Sequence, residues 1–504
     1  MRKRLLEFVA ERGSLLEPEA ADYLLHHPDP LKRLISFIES NDNLPLVITC
    51  QDIMLAEEIA IKAASRSKGM ERREQPIESV TAVVQSPRPR LFKPQSIART
   101  LESASNYEED IVVLKDITGQ STCEGTLEDF SKYFLNRFRT LAGMLRQRRD
   151  LASTIDIVKA RRLSREVSVI GIVDDVRITR NGHRILELED ETDRISVLIP
   201  ASTQLASSPV VTDEVIGVTG TVNPKGLLVA SNLAEPDIPT THRSQRCTDN
   251  ISVAFVSDMH VGSKSFLEDR WKKFSRWVAN GEELSRSIKY IVMAGDLVDG
   301  IGVYPRQDED LLLDDIYAQY EALAKLISEL PSHIRIVLVP GNHDAVRPAE
   351  PQPALPDSVR KLMPSNVLCV GNPSMLSIHG VHILAYHGRS MDDLVGLLPN
   401  LSYARPLDAM KSMLQMRHLA PVYGGRTPIA PESRDLLVVD EVPDIFVTGH
   451  VHGVGVGEYR GVTMINSSAW QSQTSYQKMR NLVPMPGHVP VVNLCTGRVS
   501  IKDF

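Results

Sequence analysis

The chain has 504 residues, of which 42% are hydrophobic and 24% charged, and its formal net charge at pH 7 is −7. This length predicts two to four domains, because a single hydrophobic core rarely grows beyond about 250–300 residues. No apolar run is long enough to span a membrane, and the five scattered cysteines argue against a disulfide framework or a zinc finger. We therefore expect a cytoplasmic protein. Because its net charge is negative, any binding of nucleic acid must depend on a local basic patch, on metals or on a partner chain.

The first hundred residues divide into two predicted regions. Residues 1–65 carry apolar side chains at three- and four-residue spacing between Pro and Asp/Asn stops, which predicts a small helical domain. Residues 66–104 are dominated by charge, proline and serine, which predicts a flexible linker. The basic residues of this linker could contact nucleic acid, but the pattern favours a solvated tether.

Residues 105–245 are predicted to form a helix followed by a small β-barrel. An amphipathic helix is expected over residues 124–148, with Thr126 as its N-cap. Strand patterns then flank Asn181-Gly182, a strong hairpin signal, and Pro224-Lys225-Gly226. About five short strands favour an OB-fold-like barrel. Because this stretch has almost no aromatic residues on which bases could stack, we interpret it as a scaffold or docking barrel.

Residues 246–504 change to an α/β pattern, in which apolar β-rich runs alternate with helical stretches. The strand runs are "ISVAFVS", "YIVMAG", "IRIVLVP", "VHILAYH", "DIFVTGH" and "VTMINS". Each of the first five ends in a polar motif, and the motifs are Asp258-Met259-His260, Gly295-Asp296, Gly341-Asn342-His343-Asp344, His387-Gly388 and Gly449-His450-Val451-His452. Since ligands of α/β proteins gather beyond the carboxyl ends of strands, the five motifs are expected to converge.

The residue types in these motifs predict a two-metal phosphoesterase site. Asp258 and His260 lie two residues apart and can turn toward one ion, while the Asp296 carboxylate suits bridging two cations about 3.5–4 Å apart. Amide oxygen and imidazole are ligands that suit first-row metals, and they are offered by Asn342, His387, His450 and His452. Each motif alone is weak, but the five together form a specific pattern. Isolated histidines such as His379 and His418 are expected to be ordinary core or surface residues.

The motifs resemble those of the calcineurin-like metallophosphoesterase superfamily, with the pattern D-x-H, G-D, G-N-H-[DE], H and G-H-x-H. The resemblance implies one metal held by Asp258, His260 and His452, and a second held by Asn342, His387 and His450, with Asp296 bridging. It further implies that His343 stabilises or protonates the leaving oxygen and that Asp344 fixes the His343 ring.

A closer resemblance is carried by longer strings. "SDMHVGSKSF", "AGDLVDGIGVYPRQ", "VPGNHDA", "AYHGRSMDDL" and "VTGHVHG" lie behind a barrel pattern and are similar to the small, exonuclease subunit of archaeal family-D DNA polymerases, over residues 105–504. This implies a nucleoid-associated 3′-to-5′ proofreading exonuclease that acts on a single-stranded 3′ end of DNA. It implies a large catalytic polymerase subunit as partner, with a sliding clamp and primase as further candidates. The implied fold is multidomain α+β: helical N-terminal domain, OB-like barrel and phosphoesterase domain (residues 246–504).

The expected cofactors are two divalent ions. Manganese is favoured because Asn, Asp and His without thiolate suit it, while magnesium, iron and zinc stay alternatives. Three arginines that follow metal motifs, Arg306, Arg347 and Arg389, are candidates for phosphate contacts.

Two other functions stay open from the sequence. The site could serve a non-catalytic scaffold subunit of the polymerase, although buried carboxylate and imidazole clusters are costly to keep without a cation. Alternatively, the chain could be a stand-alone phosphatase or cyclic-nucleotide esterase of the same superfamily, because the metal chemistry is shared.

Overall fold

The computed structural model describes most of the chain beyond residue 102 and a few positions before it. The described residues are 103–479 and 481–504, together with Leu15, Leu16, Ala20, Leu24, Leu25, Leu34, Val47 and Ile48. The chain divides into two compact units, Met1–Ser96 and Ile97–Phe504. No helix among the described residues is long and apolar enough to cross a membrane.

In the first unit, two short strands pair in parallel, β1 (Leu15–Leu16) and β2 (Val47–Ile48). Both strands lie within residues 1–65, for which only helices were predicted. Most of that prediction, like the predicted linker at residues 66–104, lies outside the described residues.

The second unit contains the predicted amphipathic helix, α1 (Leu127–Arg146). The Thr126 hydroxyl accepts a hydrogen bond from the Asp129 N–H at 3.2 Å, and the Asp129 carboxylate accepts one from the Thr126 N–H at 3.0 Å. This reciprocal capping confirms the predicted N-cap. Farther along α1, the fully buried Arg137 donates to the buried carboxylate of Asp435 at 2.8 Å. Because an unpaired buried charge is strongly destabilising, this ion pair holds α1 against the segment that carries Asp435.

A closed five-stranded barrel follows α1, which confirms the predicted barrel. Its strands are β4 (Glu166–Ile178), β5 (Arg184–Glu189), β6 (Arg194–Ile199), β7 (Val215–Val222) and β8 (Leu228–Ala234). The order is β4-β5-β6-β8-β7, and closure is possible because β4 is long enough to pair with β7 over its first half and with β5 over its second. Gly182 and Gly226, in the two predicted turns, both have φ of +78°, which favours glycine.

The rest of the unit contains two six-stranded sheets. The first has the order β12-β11-β10-β9-β18-β19, with β9 (Ser252–Val256), β10 (Ile288–Ala294), β11 (Arg335–Val339), β12 (Val367–Cys369), β18 (His488–Asn493) and β19 (Val499–Asp503). The second has the order β16-β17-β15-β14-β13-β3, with β3 (Ile111–Lys115), β13 (Ser374–Ile378), β14 (Val381–Ala385), β15 (Ile445–Thr448), β16 (Gly455–Tyr459) and β17 (Val462–Asn466). Strands β9 to β12 are parallel, as are β14, β15 and β17.

The two sheets pack face to face, and helices cover their outer faces. The described helices besides α1 are α2 (Ile157–Ala160), α3 (Glu268–Asn280), α4 (Glu283–Arg286), α5 (Ile316–Ser328), α6 (Asp357–Arg360), α7 (Met391–Leu397), α8 (Pro406–Met416) and α9 (Ser475–Met479). Apolar side chains such as Phe255 and Ile383 fill the space between the sheets. Helices α3 and α5 cover the first sheet, while α7 and α8 cover the second. With both faces covered, the central strands are apolar along their whole length, as in the sequence.

Strand β3 differs from the sequence-based domain division. It lies within residues 105–245, which were expected to form the helix and the barrel, yet it pairs with β13 at the edge of the second sheet. The class is therefore mixed α/β with a closed five-stranded barrel, and the sheet layers begin before the barrel in the chain.

Candidate metal centre

The five polar motifs follow the carboxyl ends of β9, β10, β11, β14 and β15, as the sequence pattern predicts. The backbone there is unusual, because five non-glycine residues have positive φ: Asp258 (52°), His260 (49°), Asp296 (50°), His450 (69°) and His452 (55°). Such conformations are rare outside glycine and cluster at functional sites. They turn the chain abruptly after each strand, so that side chains from separate strands face one another.

Glycine makes two of these close approaches possible. A Cβ at Gly341 would lie 2.2 Å from Asp296 Oδ1, and a Cβ at Gly449 would lie 2.6 Å from Asp258 Oδ2. Any side chain at either position would therefore displace a carboxylate of the site.

The first cluster consists of Asp258, His260 and His452, whose candidate ligand atoms all lie within 4.8 Å of one another. The Nε2 atoms of His260 and His452 are 3.1 Å apart, and His452 Nε2 is 3.4 Å from Asp258 Oδ1. All three residues are buried. This is the set that the superfamily resemblance implies for one metal.

The second cluster consists of Asp296, His387 and His450, again with candidate ligand atoms within 4.8 Å. His387 Nε2 is 3.3 Å from Asp296 Oδ2 and 3.2 Å from the side-chain oxygen of Asn342. Asp296 Oδ2 is also 3.9 Å from His260 Nε2 of the first cluster. The structure thus brings all seven predicted ligands together, with Asp296 between the two clusters.

The electrostatics of these clusters fit bound cations. Burial lowers the pKa of His387, but the carboxylates of Asp296 and Asp258 outweigh it and raise that pKa to about 10. The pKa of His260 is raised as well, because neighbouring carboxylates outweigh the lowering effect of burial. Burial opposes ionisation of Asp296, yet the surrounding imidazoles hold the pKa of this carboxyl well below its usual range. The site therefore concentrates buried negative charge, which favours protonation of its histidines when no cation is bound. Its donor atoms are oxygen and nitrogen without thiolate, a set that suits divalent first-row metals.

Metal binding is consequently expected to release protons. With a pKa of about 10, the His387 ring is protonated at pH 7 in the metal-free protein, and it must lose that proton to ligate a cation. Manganese affinity should therefore increase as the pH rises toward 10, and calorimetry in two buffers of different ionisation enthalpy should reveal at least one proton released per chain. A His333→Gln variant, altered outside the site, should release as many protons as the parent. Binding heats that are independent of the buffer would contradict this assignment.

Several residues that orient the imidazoles were not predicted from the sequence. Asp299 accepts a hydrogen bond from His260 Nδ1 at 3.0 Å, and Asp392 Oδ2 lies 3.3 Å from His450 Nε2. Asp299 lies in "GDLVDGIG" and Asp392 in "AYHGRSMDDL", so a signal existed in the strings that carry the family resemblance. A third contact, between the Gln477 side chain on α9 and His452 Nδ1 at 2.8 Å, has no such signal.

His343 lies beside both clusters with a partly exposed side chain. Its Nδ1 donates to the carbonyl oxygen of Asp299 at 2.7 Å, and its Nε2 is 3.9 Å from Asp296 Oδ2. Burial lowers the pKa of this ring. His343, His260 and Asp299 also form a group with ligand atoms within 4.8 Å, but His260 and Asp299 are already hydrogen-bonded to each other. We therefore treat Asp299 as a support of both rings.

Asp344 does not fix the His343 ring, which corrects the prediction. Its Oδ2 accepts a hydrogen bond from the backbone N–H of Gly341 at 2.8 Å, and its Oδ1 accepts one from the Tyr320 hydroxyl at 2.9 Å. Asp344 thereby holds the shape of the loop after β11, while the Asp299 carbonyl orients the ring.

The three candidate arginines have different environments. Arg347 donates to the Glu432 carboxylate at 2.9 Å and to the Ser121 hydroxyl at 2.7 Å, so its guanidinium joins two loops, and its contact with a phosphate stays a prediction. Arg306 has an exposed side chain and immediately precedes a short 3₁₀ helix. Arg389 borders a cleft of about 510 Å³ together with Asn342 and His343, so it is the arginine placed beside the metal centre.

Comparison with known proteins gives consistent matches. Residues 253–453 match the family of DNA polymerase alpha/epsilon B-subunits. The DNA polymerase II small subunit of Archaeoglobus fulgidus is 45% identical over 410 residues, covering 80% of this chain and 83% of that one. The protein of the same name from Methanocaldococcus jannaschii is 43% identical over 430 residues, covering 83% and 71%. Among solved structures, a novel archaeal phosphodiesterase is similar at 11% identity and a TM-score of 0.26, covering 50% of this chain and 100% of that chain.

Proposed function

The chain belongs to the family of DNA polymerase II small subunits, and on this basis we propose that its metal centre is the active site of a 3′-to-5′ exonuclease that proofreads for the polymerase. The observation that carries the proposal is the complete pair of largely buried clusters, joined at Asp296, with His343 beside them. A scaffold role alone would not require seven potential ligands at five strand ends in strained backbone conformations.

The residues would divide the two cations as follows. Asp258, His260 and His452 would hold one, and Asn342, His387 and His450 would hold the other, with the Asp296 carboxylate available to both. When bound, the cations supply Lewis-acid activation of the attacking water and neutralise charge on the phosphate oxygens. Manganese is the metal we expect first, because the donors are carboxylate, amide and imidazole.

His343 is proposed as the acid that assists departure of the 3′ oxygen. Because its Nδ1–H is committed to the Asp299 carbonyl, only Nε2 can face a substrate. In the cationic form of the ring, Nε2–H can donate a hydrogen bond or a proton to the leaving oxygen. The hydrogen bond at Nδ1 fixes the orientation of the ring before substrate binds, which favours proton transfer in the bound complex.

DNA binding and assembly are the remaining parts of the proposal. With a net charge of −7, the chain needs help to hold a DNA strand, and a large catalytic polymerase subunit is the partner that can supply it. The barrel spans residues 166–234 without a Phe, Tyr or Trp, which favours a docking role over stacking of bases. Arg389 is the residue that we expect to contact a substrate phosphate.

A nuclease assay on the full chain tests this function. With manganese, the chain should shorten a 5′-labelled single strand one nucleotide at a time, whereas a 3′-labelled strand should release its label as a mononucleotide at once. Chelator should stop both reactions. If the pure chain binds manganese at the site but hydrolyses no strand, the site is structural and the scaffold function replaces our proposal.

A further inference from the structure

The cleft beside His343 has a polar end and an apolar wall. Asn342, His343 and Arg389 form the polar end, next to the metal clusters. Ile301, Val303 and Ile316 also line the cleft, and they form a wall that offers no side-chain hydrogen-bonding group. We call these six residues together the base cleft.

Two of the wall residues, Ile301 and Val303, lie on a loop whose backbone is hydrogen-bonded to buried side chains, whereas Ile316 is the first residue of α5. The N–H of Gly300 donates to the buried Gln319 side chain at 2.9 Å, and the N–H of Val303 donates to the buried Gln307 side chain at 2.8 Å. Gln307 in turn donates to the Asp299 carbonyl at 2.8 Å. Two buried amides therefore fix both ends of the loop.

This fixed loop turns its apolar side chains outward. Ile301 is 50% exposed and Val303 is 37% exposed, although the loop around them is tied into the core. Isolated exposed aliphatic residues are common, but here two neighbours line a cleft that continues into a candidate active site. Their exposure is therefore best explained by a ligand that covers them.

The loop also lies directly against the proposed acid. A Cβ at Gly300 would come within 2.3 Å of the His343 carbonyl oxygen, so the two backbones are in contact at this point. Gly300 and Gly302 both have φ of +73°, and the two turns leave Ile301 projecting between them. Whatever fills the base cleft is thus adjacent to the group that faces the leaving oxygen.

We propose that the base cleft binds an unpaired nucleobase, namely that of the nucleotide whose 3′ oxygen departs. This inference rests on the proposed function, because the leaving side is defined by His343. Arg389 at the polar end supplies donors for a phosphate of the same strand. A wall without polar side chains accepts any base, because burial of apolar surface is not directional, as proofreading requires. A base can reach the wall only after leaving its stacked and paired position, so the cleft selects frayed or single-stranded ends.

Oligonucleotides with one abasic position test the proposal on the full chain. The parent should process an intact strand with a kcat/KM about tenfold above that of a strand abasic at the penultimate position, as expected when apolar contact of a base with aliphatic side chains is lost. A strand abasic at the 3′-terminal position should be processed like the intact one. In the double variant Ile301→Ser/Val303→Ser, kcat/KM for the intact strand should fall to the parental value for the penultimate-abasic strand. The double variant should therefore process the two strands equally. Ile178→Ser, at a 73% exposed aliphatic residue of the barrel, is the matched control and should behave as the parent.

Binding measured without metal tests the base cleft separately from the proposed nuclease activity. In chelator, fluorescence anisotropy should show weaker binding of the penultimate-abasic strand to the parent and equal binding of both strands to the double variant. Equal binding and equal rates for the parent would overturn the base cleft, whatever its nuclease activity. Sensitivity to the terminal base instead would overturn the assignment to the leaving side. Absence of any manganese-dependent hydrolysis would overturn the proposed function, while the anisotropy comparison would still decide whether the cleft binds a base.

Discussion

Replacement of Asp296 by asparagine is expected to lower manganese-dependent hydrolysis by more than about 100-fold, since even residues that only support metal ligands cost about 10–100-fold when removed. The variant keeps the size of the side chain and an oxygen that can accept a hydrogen bond from the backbone N–H of His343. In the parent, this backbone N–H donates to Asp296 Oδ1 at 2.9 Å. It removes the charge that lies 3.3 Å from His387 Nε2 and 3.9 Å from His260 Nε2. Both clusters should therefore lose affinity from a single substitution.

The decisive measurement for Asp296→Asn is the manganese stoichiometry, by calorimetry or by paramagnetic relaxation of water, alongside the rate. We expect the parent to bind two ions and the variant to bind fewer, with each remaining ion held more weakly. Asp249→Asn is the matched control, because this carboxylate is 37% exposed and pairs with His379 at 2.9 Å, outside the site. A variant that still binds two ions with parental affinity would refute the bridging role of Asp296.

Replacement of His343 by alanine should have the opposite signature: metal binding is kept, and hydrolysis of DNA falls by about 10²–10⁴-fold, the range for loss of a general acid. His343 Nδ1 is engaged by the Asp299 carbonyl, and its Nε2 is directed to the edge of the clusters, so no metal needs this ring. If His343 were instead a ligand together with His260 and Asp299, the alanine variant would lose metal as well.

A leaving-group comparison distinguishes an acid from a general disturbance of the site. Bis(p-nitrophenyl) phosphate releases a stable phenolate that needs no proton, so His343→Ala should hydrolyse it at close to the parental rate. For DNA, the parental kcat/KM should decline as the pH rises through the pKa of the His343 imidazolium, and the variant should lack this decline. Equal losses on both substrates would argue against proton donation. His333→Ala, altered outside the site, should resemble the parent in every assay.

Local chemistry explains why the sequence was informative about the candidate metal centre. Each predicted ligand lies in a motif that follows an apolar strand, and the carboxyl ends of parallel strands meet at one edge, so strand order and motif order together predict which side chains converge. The N-cap at Thr126 was predictable for the same reason, since its partner Asp129 is three residues away.

Contacts between residues distant in the chain were decided only by the tertiary structure. Arg347 and Arg389 look equivalent in the sequence, yet Arg347 pairs with Glu432, 85 residues away, whereas Arg389 borders the cleft. Likewise, Asp344 is next to His343 in the chain but bonds to the backbone and to Tyr320, because the ring turns toward the Asp299 carbonyl.

The sequence by itself therefore determined the identity of the candidate metal ligands, their order and the α/β layout that collects them. Only the tertiary structure decided which groups orient the imidazoles, which arginine is beside the centre and how the glycine-flanked loop builds an apolar wall against His343. The physical reason is that strand periodicity and ligand chemistry act over a few residues, whereas hydrogen-bond partners and exposed surface depend on which distant segments the packed sheets bring into contact.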